Sequence, residues 1–208
     1  MKNAYIKHLV TKYVDPHFTG YNLQGFIYFC EPIEYVLRGY CFDSGRNADL
    51  LKLMTFVQPL YTPCDFIALT LGETIVETFI SKDNEEKLMP EIVKKMKDFE
   101  PYLFELATPR ELTHLPRQTK YENNSDVACE RRAYSRILNG EYEEARIELN
   151  ILIGRLNDHV VAKIAARYEF EALDRAEELI RLLDINSQLA LDKLDEYTAF
   201  TKSHLRLP

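Results

Sequence analysis

The stretch Ala133-Tyr-Ser-Arg-Ile-Leu-Asn-Gly-Glu-Tyr-Glu-Glu-Ala145 predicts two helices joined by a tight turn. Asn139-Gly140 breaks the helical pattern where glycine can adopt the left-handed conformation that ends a helix. After the turn, apolar side chains recur at helical spacing on one face: Tyr142, Ala145, Leu149, Leu152, Ile153 and Leu156. We therefore expect Tyr142, Ala145, Leu149 and Leu152 to be buried against the preceding helix, which contributes Ala133 and Ile137.

This turn resembles the inter-helix turn of a tetratricopeptide repeat, in which a glycine and an aromatic residue stand at similar places. The resemblance covers residues 133–145 only, and no second copy follows at the repeat length of that family. It implies a helical hairpin that presents a surface to another macromolecule.

Helical spacing continues to the end of the sequence and predicts two further helices. The third helix of this half carries Val160, Val161, Ile164, Tyr168, Leu173, Ala176, Leu179, Ile180 and Leu183. The fourth carries Leu189, Leu194, Tyr197, Thr201 and Leu205, and Asn186-Ser187 supplies the cap between the two. Four helices with short turns predict a bundle of helical hairpins.

The N-terminal half has a different periodicity. An amphipathic helix around Tyr5 to Tyr13 is expected to end at Asp15-Pro16. Aromatic and β-branched residues then predict strands at 26–30, 35–42, 51–57 and 66–71. The turn-forming residues at 43–49 favour antiparallel pairing, and the prolines at 59 and 63 place 58–65 in a connection between strands.

A helix is expected to cover this sheet, because apolar residues recur at helical spacing between Leu88 and Phe104. Residues 108–124 have no sustained period and contain two prolines, which is typical of a linker. The sequence thus predicts an α+β protein with an N-terminal helix, a small antiparallel sheet and a C-terminal helical bundle. Its expected domains are 1–107 and 125–208, joined by a linker at 108–124.

Composition limits the function classes. Lys and Arg total 26 and Asp and Glu 33, so the net charge of -7 opposes nucleic acid as the principal ligand. The sequence predicts no membrane span and no signal peptide, and a cytoplasmic location is expected. Four cysteines without C-x-x-C spacing are expected to be reduced, and neither a metal nor a cofactor is predicted.

The clearest catalytic candidate is the pair Cys64 and Asp65, just before the predicted fourth strand. A cysteine nucleophile needs a histidine delivered from elsewhere in the chain, which would make the protein a small hydrolase or nuclease-like enzyme. Packing alone also accounts for this cysteine. The usual nucleotide, hydrolase and metalloprotease motifs are missing from the sequence.

Charged side chains suggest three further sites. The first is an acidic helical surface that could bind a basic protein or serve only solubility, formed by Glu141, Glu143, Glu144, Glu169, Asp174 and Glu177. The second is a basic stretch in the predicted linker, formed by Arg110, His114, Arg117 and Lys120. The third would be a calcium loop with Asp43, Gly45, Asn47 and Asp49, but Ala48 and Met54 stand where such a loop needs glycine and glutamate.

Gly39-Tyr-Cys-Phe-Asp43, the proline-rich stretch at 56–65 and the helical turn at 138–145 together resemble a group of uncharacterised bacterial proteins. This resemblance implies a bacterial origin but no activity. By analogy with small acidic bacterial α+β proteins, we expect a non-catalytic protein-interaction module that binds a protein partner, such as an immunity-type neutraliser or an accessory subunit of a defence system.

Overall fold

A computed structural model describes residues 3–43, 49–69, 71–113 and 125–208. The chain divides into two compact units. Met1–Gln58 and Ile67–Ala107 form one, which we call the sheet unit, and Pro59–Phe66 and Thr108–Pro208 form the other, the helical unit. The α+β class is confirmed: an N-terminal helix is followed by an antiparallel sheet and then by helices.

Five strands form the sheet, in the order in which they occur along the chain. They are β1 (Tyr21–Gln24), β2 (Ile27–Cys30), β3 (Val36–Asp43), β4 (Leu50–Pro59) and β5 (Thr74–Phe79). The β1–β2 turn passes through Gly25, whose φ of 63° is a conformation that glycine adopts without strain. Sequential antiparallel pairing of this kind confirms the expected antiparallel sheet.

The predicted strand at 66–71 is wrong, and two strands were missed. Phe66 is exposed, and the backbone N–H of Ala68 binds the side chain of Gln58 instead of a neighbouring strand. The chain rejoins the sheet at Glu73, whose carbonyl accepts from Thr55 N, and β5 follows directly. Both missed strands, β1 and β5, are short edge strands.

Helices cover this sheet and hold the N-terminus. The predicted first helix is α1 (Asn3–Leu9), which continues through a π-helical turn (Val10–Val14) and a 3-10 turn (Asp15–His17). The long helix α2 (Glu85–Glu105) runs through Pro101 and buries the side chains Met89, Ile92, Val93, Met96 and Leu103. Tyr40 on β3 donates to the carbonyl of Met96 at 2.7 Å, which ties α2 to the sheet.

The helical unit contains five described helices: α3 (Pro109–Thr113), α4 (Asp126–Leu138), α5 (Tyr142–Val161), α6 (Arg167–Ile185) and α7 (Ser187–Leu205). The hairpin of α4 and α5 turns at Gly140, as expected, with a φ of 77°. Its burial pattern also holds in large part. Ala133, Ile137, Ala145, Leu149 and Leu152 are fully buried, whereas Tyr142 is half-buried.

Two boundaries differ from expectation. The third helix of this half does not begin at Val160, because α5 extends to Val161 and the chain then turns through Lys163 in a left-handed conformation. Helix α3 occupies part of the predicted linker, and residues 114–124 lie outside the described residues. By contrast, the predicted cap between the last two helices is present, since Asn186 Oδ1 accepts from Gln188 N at 2.9 Å.

Buried polar contacts join the helices of this unit. Arg175 on α6 forms an ion pair at 2.8 Å with Glu130 on α4, and Tyr134 donates to the same carboxylate. From the segment Pro59–Phe66, the buried Tyr61 shares a 2.6 Å hydrogen bond with Ser135. Across the described ranges, none of the helices combines the length and the apolar character needed to cross a bilayer.

Candidate functional site

Cys64 lies in a setting that keeps its thiol protonated. Burial raises the pKa of this thiol, and Sγ donates to the carbonyl of Phe66 at 3.1 Å. Thr201 accepts from the backbone N–H of Cys64. Among the described residues no histidine is hydrogen-bonded to the sulfur, and His114 lies outside them. A thiolate nucleophile needs a lowered pKa or an adjacent base, and this geometry supplies neither.

The acidic side chains singled out in the sequence do not share one environment. Glu169 is buried, so its expected place on a solvated face is wrong. Glu141 accepts from Arg136 at 2.6 Å, and Glu143 lies 3.5 Å from Arg146. Three acidic side chains are exposed and form no ion pair with a described residue: Glu144, Asp174 and Glu177. Ion pairs therefore neutralise only part of the expected negative surface, at Glu141 and Glu143.

Little of the predicted basic stretch and calcium loop can be located. Arg110 is exposed on α3, whereas His114, Arg117 and Lys120 lie outside the described residues. Asp43 ends β3 and Asp49 precedes β4, and residues 44–48 between them also lie outside the described residues.

Basic side chains do gather elsewhere, around a groove of about 480 Å³ in the sheet unit. It is lined by Lys12, Tyr13, Pro16, His17, Pro90, Val93, Lys94 and Lys97. Two of these bases make internal contacts: Lys12 Nζ lies 3.4 Å from Glu85 Oε1, and Lys97 Nζ lies 3.4 Å from His17 Nδ1. Both contacts attach the N-terminal helical segment to α2.

Three ionisable side chains of the helical unit meet, each from a terminal turn of a different helix. We call them the helix-end cluster. Asp126 stands in the first turn of α4, His159 in the last turn of α5, and Glu169 in the first turn of α6. His159 Nδ1 lies 2.8 Å from Glu169 Oε1 and 3.7 Å from Asp126 Oδ2. This places one imidazole nitrogen between two carboxylates.

The surroundings fix Glu169 most firmly. Its other oxygen, Oε2, accepts from the backbone N–H of Ala166 at 2.5 Å. That hydrogen bond, followed by the one with His159, holds the pKa of the Glu169 carboxyl below its ordinary value. The side chain of His159 is 36% exposed and that of Asp126 is 15% exposed, so the cluster is open to solvent on one side.

Helix electrostatics explain why these residue types occur at these positions. Carboxylates are favoured in the first turn of a helix, and a histidine in the last. Sequence reasoning placed Glu169 in an acidic face and left Asp126 and His159 aside. No local signal identified Glu169 as a first-turn residue, because the predicted third helix began at Val160, and the meeting of three helix ends depends on tertiary packing.

A line of side chains along α5 faces solvent, and we call it the α5 surface. It consists of Glu144, Ile147, Ile151, Gly154 and Asp158, each three or four residues from the next. Ile147 is 61% exposed and Ile151 43% exposed. Outside the adjoining helix backbone, no atom of a described residue lies within 4 Å of a Cβ added to Gly154. The opposite side of the same helix is buried against α4 and α6.

Comparisons with known proteins give no match to a family model, to a curated protein or to a solved structure. We therefore infer function from the geometry of the described residues.

Proposed function

We propose that the protein is a non-catalytic protein-interaction module whose α5 surface binds a basic amphipathic helix of a partner protein. The single observation that carries this proposal is the exposure of Ile147 and Ile151 on a helix whose opposite face is already packed. Scattered exposed apolar residues are common, but these two stand one turn apart on one line.

Burial of these two side chains contributes favourably to the free energy of binding a partner. Complete burial of an isoleucine is worth about 1.5–3 kcal/mol, so covering the exposed part of Ile147 contributes about 1–2 kcal/mol. Ile151 adds a smaller amount because less of it is exposed. Two such side chains can form the centre of a small interface when polar residues surround them.

Gly154 also favours a partner at the α5 surface. A glycine inside a helix costs about 1 kcal/mol relative to alanine, and none of the described residues fills the space beside it. The fold of this unit therefore gives no internal reason for the glycine. A partner whose backbone or side chain approaches α5 closely would supply one.

Charge favours one kind of partner. Glu144 and Asp158 stand at the two ends of the apolar line, and no exposed Lys or Arg lies on α5. A helix with an apolar face and Lys or Arg at its ends complements this arrangement. A second copy of the chain does not, because pairing α5 with itself brings the same acidic ends together. The proposed partner is therefore a different, basic protein.

The narrower role in the proposal is an immunity-type neutraliser or an accessory subunit of a bacterial defence system. It rests on the analogy with small acidic bacterial α+β proteins and requires a surface of this kind. A cytoplasmic location belongs to the same proposal and is supported by four free cysteines. The enzymatic alternative at Cys64 gains no support, since burial raises the pKa of its thiol and no described histidine is hydrogen-bonded to its sulfur.

The proposal is tested by affinity capture from the native host with three baits: the unchanged chain, Ile147→Ser/Ile151→Ser, and Leu189→Ser. Leu189 is a matched control because it is 40% exposed and lies on α7, which packs on α4 and α6. We expect a basic protein that the unchanged chain and the control retain and the double variant loses. Its association rate should fall as salt rises. Equal recovery by all three baits, or no specific recovery, contradicts the proposal.

A further inference from the structure

We propose that the helix-end cluster is a binding site for a divalent transition-metal ion, with Zn²⁺ as the natural probe. The ligand atoms are His159 Nδ1, Asp126 Oδ2 and Glu169 Oε1, one from each of three helices. The proposal is independent of the α5 surface and departs from the sequence-based expectation that the protein has no metal site.

The distances between the ligand atoms suit a small cation. In tetrahedral coordination with metal–ligand bonds near 2.0–2.2 Å, ligand atoms lie roughly 3.3–3.5 Å apart. Here Nδ1 lies 2.8 Å from one carboxylate oxygen and 3.7 Å from the other, and the candidate ligand atoms all lie within 4.8 Å of one another. Side-chain movements of about half an ångström for the imidazole contacts, and of no more than about 1.5 Å between the two carboxylates, bring the set to the required spacing.

Ligand chemistry selects the class of metal. One imidazole nitrogen with two carboxylate oxygens suits Zn²⁺ and its transition-metal neighbours better than Mg²⁺, which prefers an octahedral shell of oxygens. Binding replaces the proton on His159 Nδ1 with the metal, and this proton passes to solvent. The hydrogen bond between imidazole and carboxylate is then exchanged for two bonds to a common ion.

A supporting contact already orients one ligand. The backbone N–H of Ala166 holds Glu169 Oε2, so Oε1 is left pointing at His159. Outer contacts of this kind keep a metal ligand in place and lower the cost of assembling the site. Because His159 is partly exposed, an ion can enter from solvent and keep a water molecule as its fourth ligand.

The test is calorimetric titration of ZnCl₂ into the chelator-treated full chain near pH 7. We expect one saturable site with a Kd in the micromolar range or tighter, and at least a hundredfold weaker binding of Mg²⁺. His159→Ala should weaken Zn²⁺ binding at least tenfold. His204→Ala, which removes an exposed histidine on α7, should leave it unchanged.

Asp126→Asn provides a second variant, because it preserves the 2.8 Å contact between His159 and Glu169 and so leaves the local fold intact. It should also weaken Zn²⁺ binding, and the rise in Tm that excess Zn²⁺ gives the unchanged chain should shrink in both cluster variants. The proposal is overturned if no saturable binding occurs, if Mg²⁺ binds equally well, or if His159→Ala binds Zn²⁺ as tightly as the unchanged chain.

Discussion

Replacement of Glu85 by glutamine should detach the N-terminal helix from α2. Glu85 begins α2, and only 6% of its side chain is exposed. Its carboxylate accepts from Tyr5 at 2.8 Å and from Tyr13 at 3.2 Å, and it lies 2.8 Å from His8 Nε2. Hydrogen bonds to a charged group are worth about 1.5–3 kcal/mol each, although the values do not add. We expect Glu85→Gln to lower the free energy of unfolding by about 3 kcal/mol near pH 7.

The contribution of Glu85 to stability should depend on pH. The hydrogen bond with His8, followed by those with the two tyrosines, lowers the pKa of Glu85 from an ordinary value of 4.5 to about 2. A carboxyl whose pKa is lowered in the folded state stabilises the protein above the unfolded-state pKa. That contribution should be complete above about pH 5 and disappear as the pH falls from 4.5 towards 2. Glu85→Gln should remove this part of the pH dependence.

Urea unfolding followed by circular dichroism between pH 2 and 7 measures both effects. Glu86→Gln is the matched control, because Glu86 is the next residue along the chain and its side chain is 83% exposed. Among the described residues, its carboxylate forms an ion pair only with Lys12, at 3.5 Å. That change should cost less than about 0.5 kcal/mol. Equal losses for the two variants, or an unchanged acid transition in Glu85→Gln, would refute the argument.

Three further substitutions test the helical unit. Ala145→Glu places a charge at a fully buried position of α5 and should cost about 3 kcal/mol or more; a loss below about 1 kcal/mol would contradict the packing. Gly154→Ala should stabilise the free protein by up to about 1 kcal/mol yet weaken partner binding, and destabilisation would show that the space beside Gly154 is not open. Arg175→Met leaves the buried Glu130 without its ion pair and should cost about 3–5 kcal/mol by denaturant unfolding, and a neutral result would contradict this.

Features that depend on neighbouring residues could be predicted from sequence. The turn at Gly140 and the cap at Asn186 were located correctly because glycine and asparagine act on their own backbone or that of the next few residues. The fold class followed from the change of periodicity between the two halves. Helix α2 also followed, and it continues through Pro101.

Features that depend on distant residues could not be predicted. Residues 66–71 have the composition of a strand, yet Gln58 binds the backbone of Ala68 and the connection lies outside the sheet. Phe66 and the preceding segment from Pro59 belong to the helical unit, although sequence reasoning placed them with the sheet. Glu169 has the spacing of a surface residue and is buried because His159 and the backbone of Ala166 supply hydrogen bonds.

Only part of the α5 surface could be predicted from the sequence. The buried side of the helix was identified by Ala145, Leu149 and Leu152, and this leaves Ile147 and Ile151 on the opposite side. Their position was therefore a signal that two apolar residues lie on an exposed face. The sequence does not predict whether another helix of the chain covers Ile147 and Ile151, because that depends on how all the helices of the unit pack.

Binding affinity at α5 tests the central claim most directly. Once a partner is captured, titration calorimetry should compare the unchanged chain with Ile147→Ala and Leu189→Ala, two apolar truncations on different helices. We predict that Ile147→Ala raises Kd about tenfold, which corresponds to about 1.4 kcal/mol, and that Leu189→Ala leaves Kd unchanged. An unchanged Kd for Ile147→Ala together with a weakened complex for Leu189→Ala would place the interface elsewhere and contradict the proposed function.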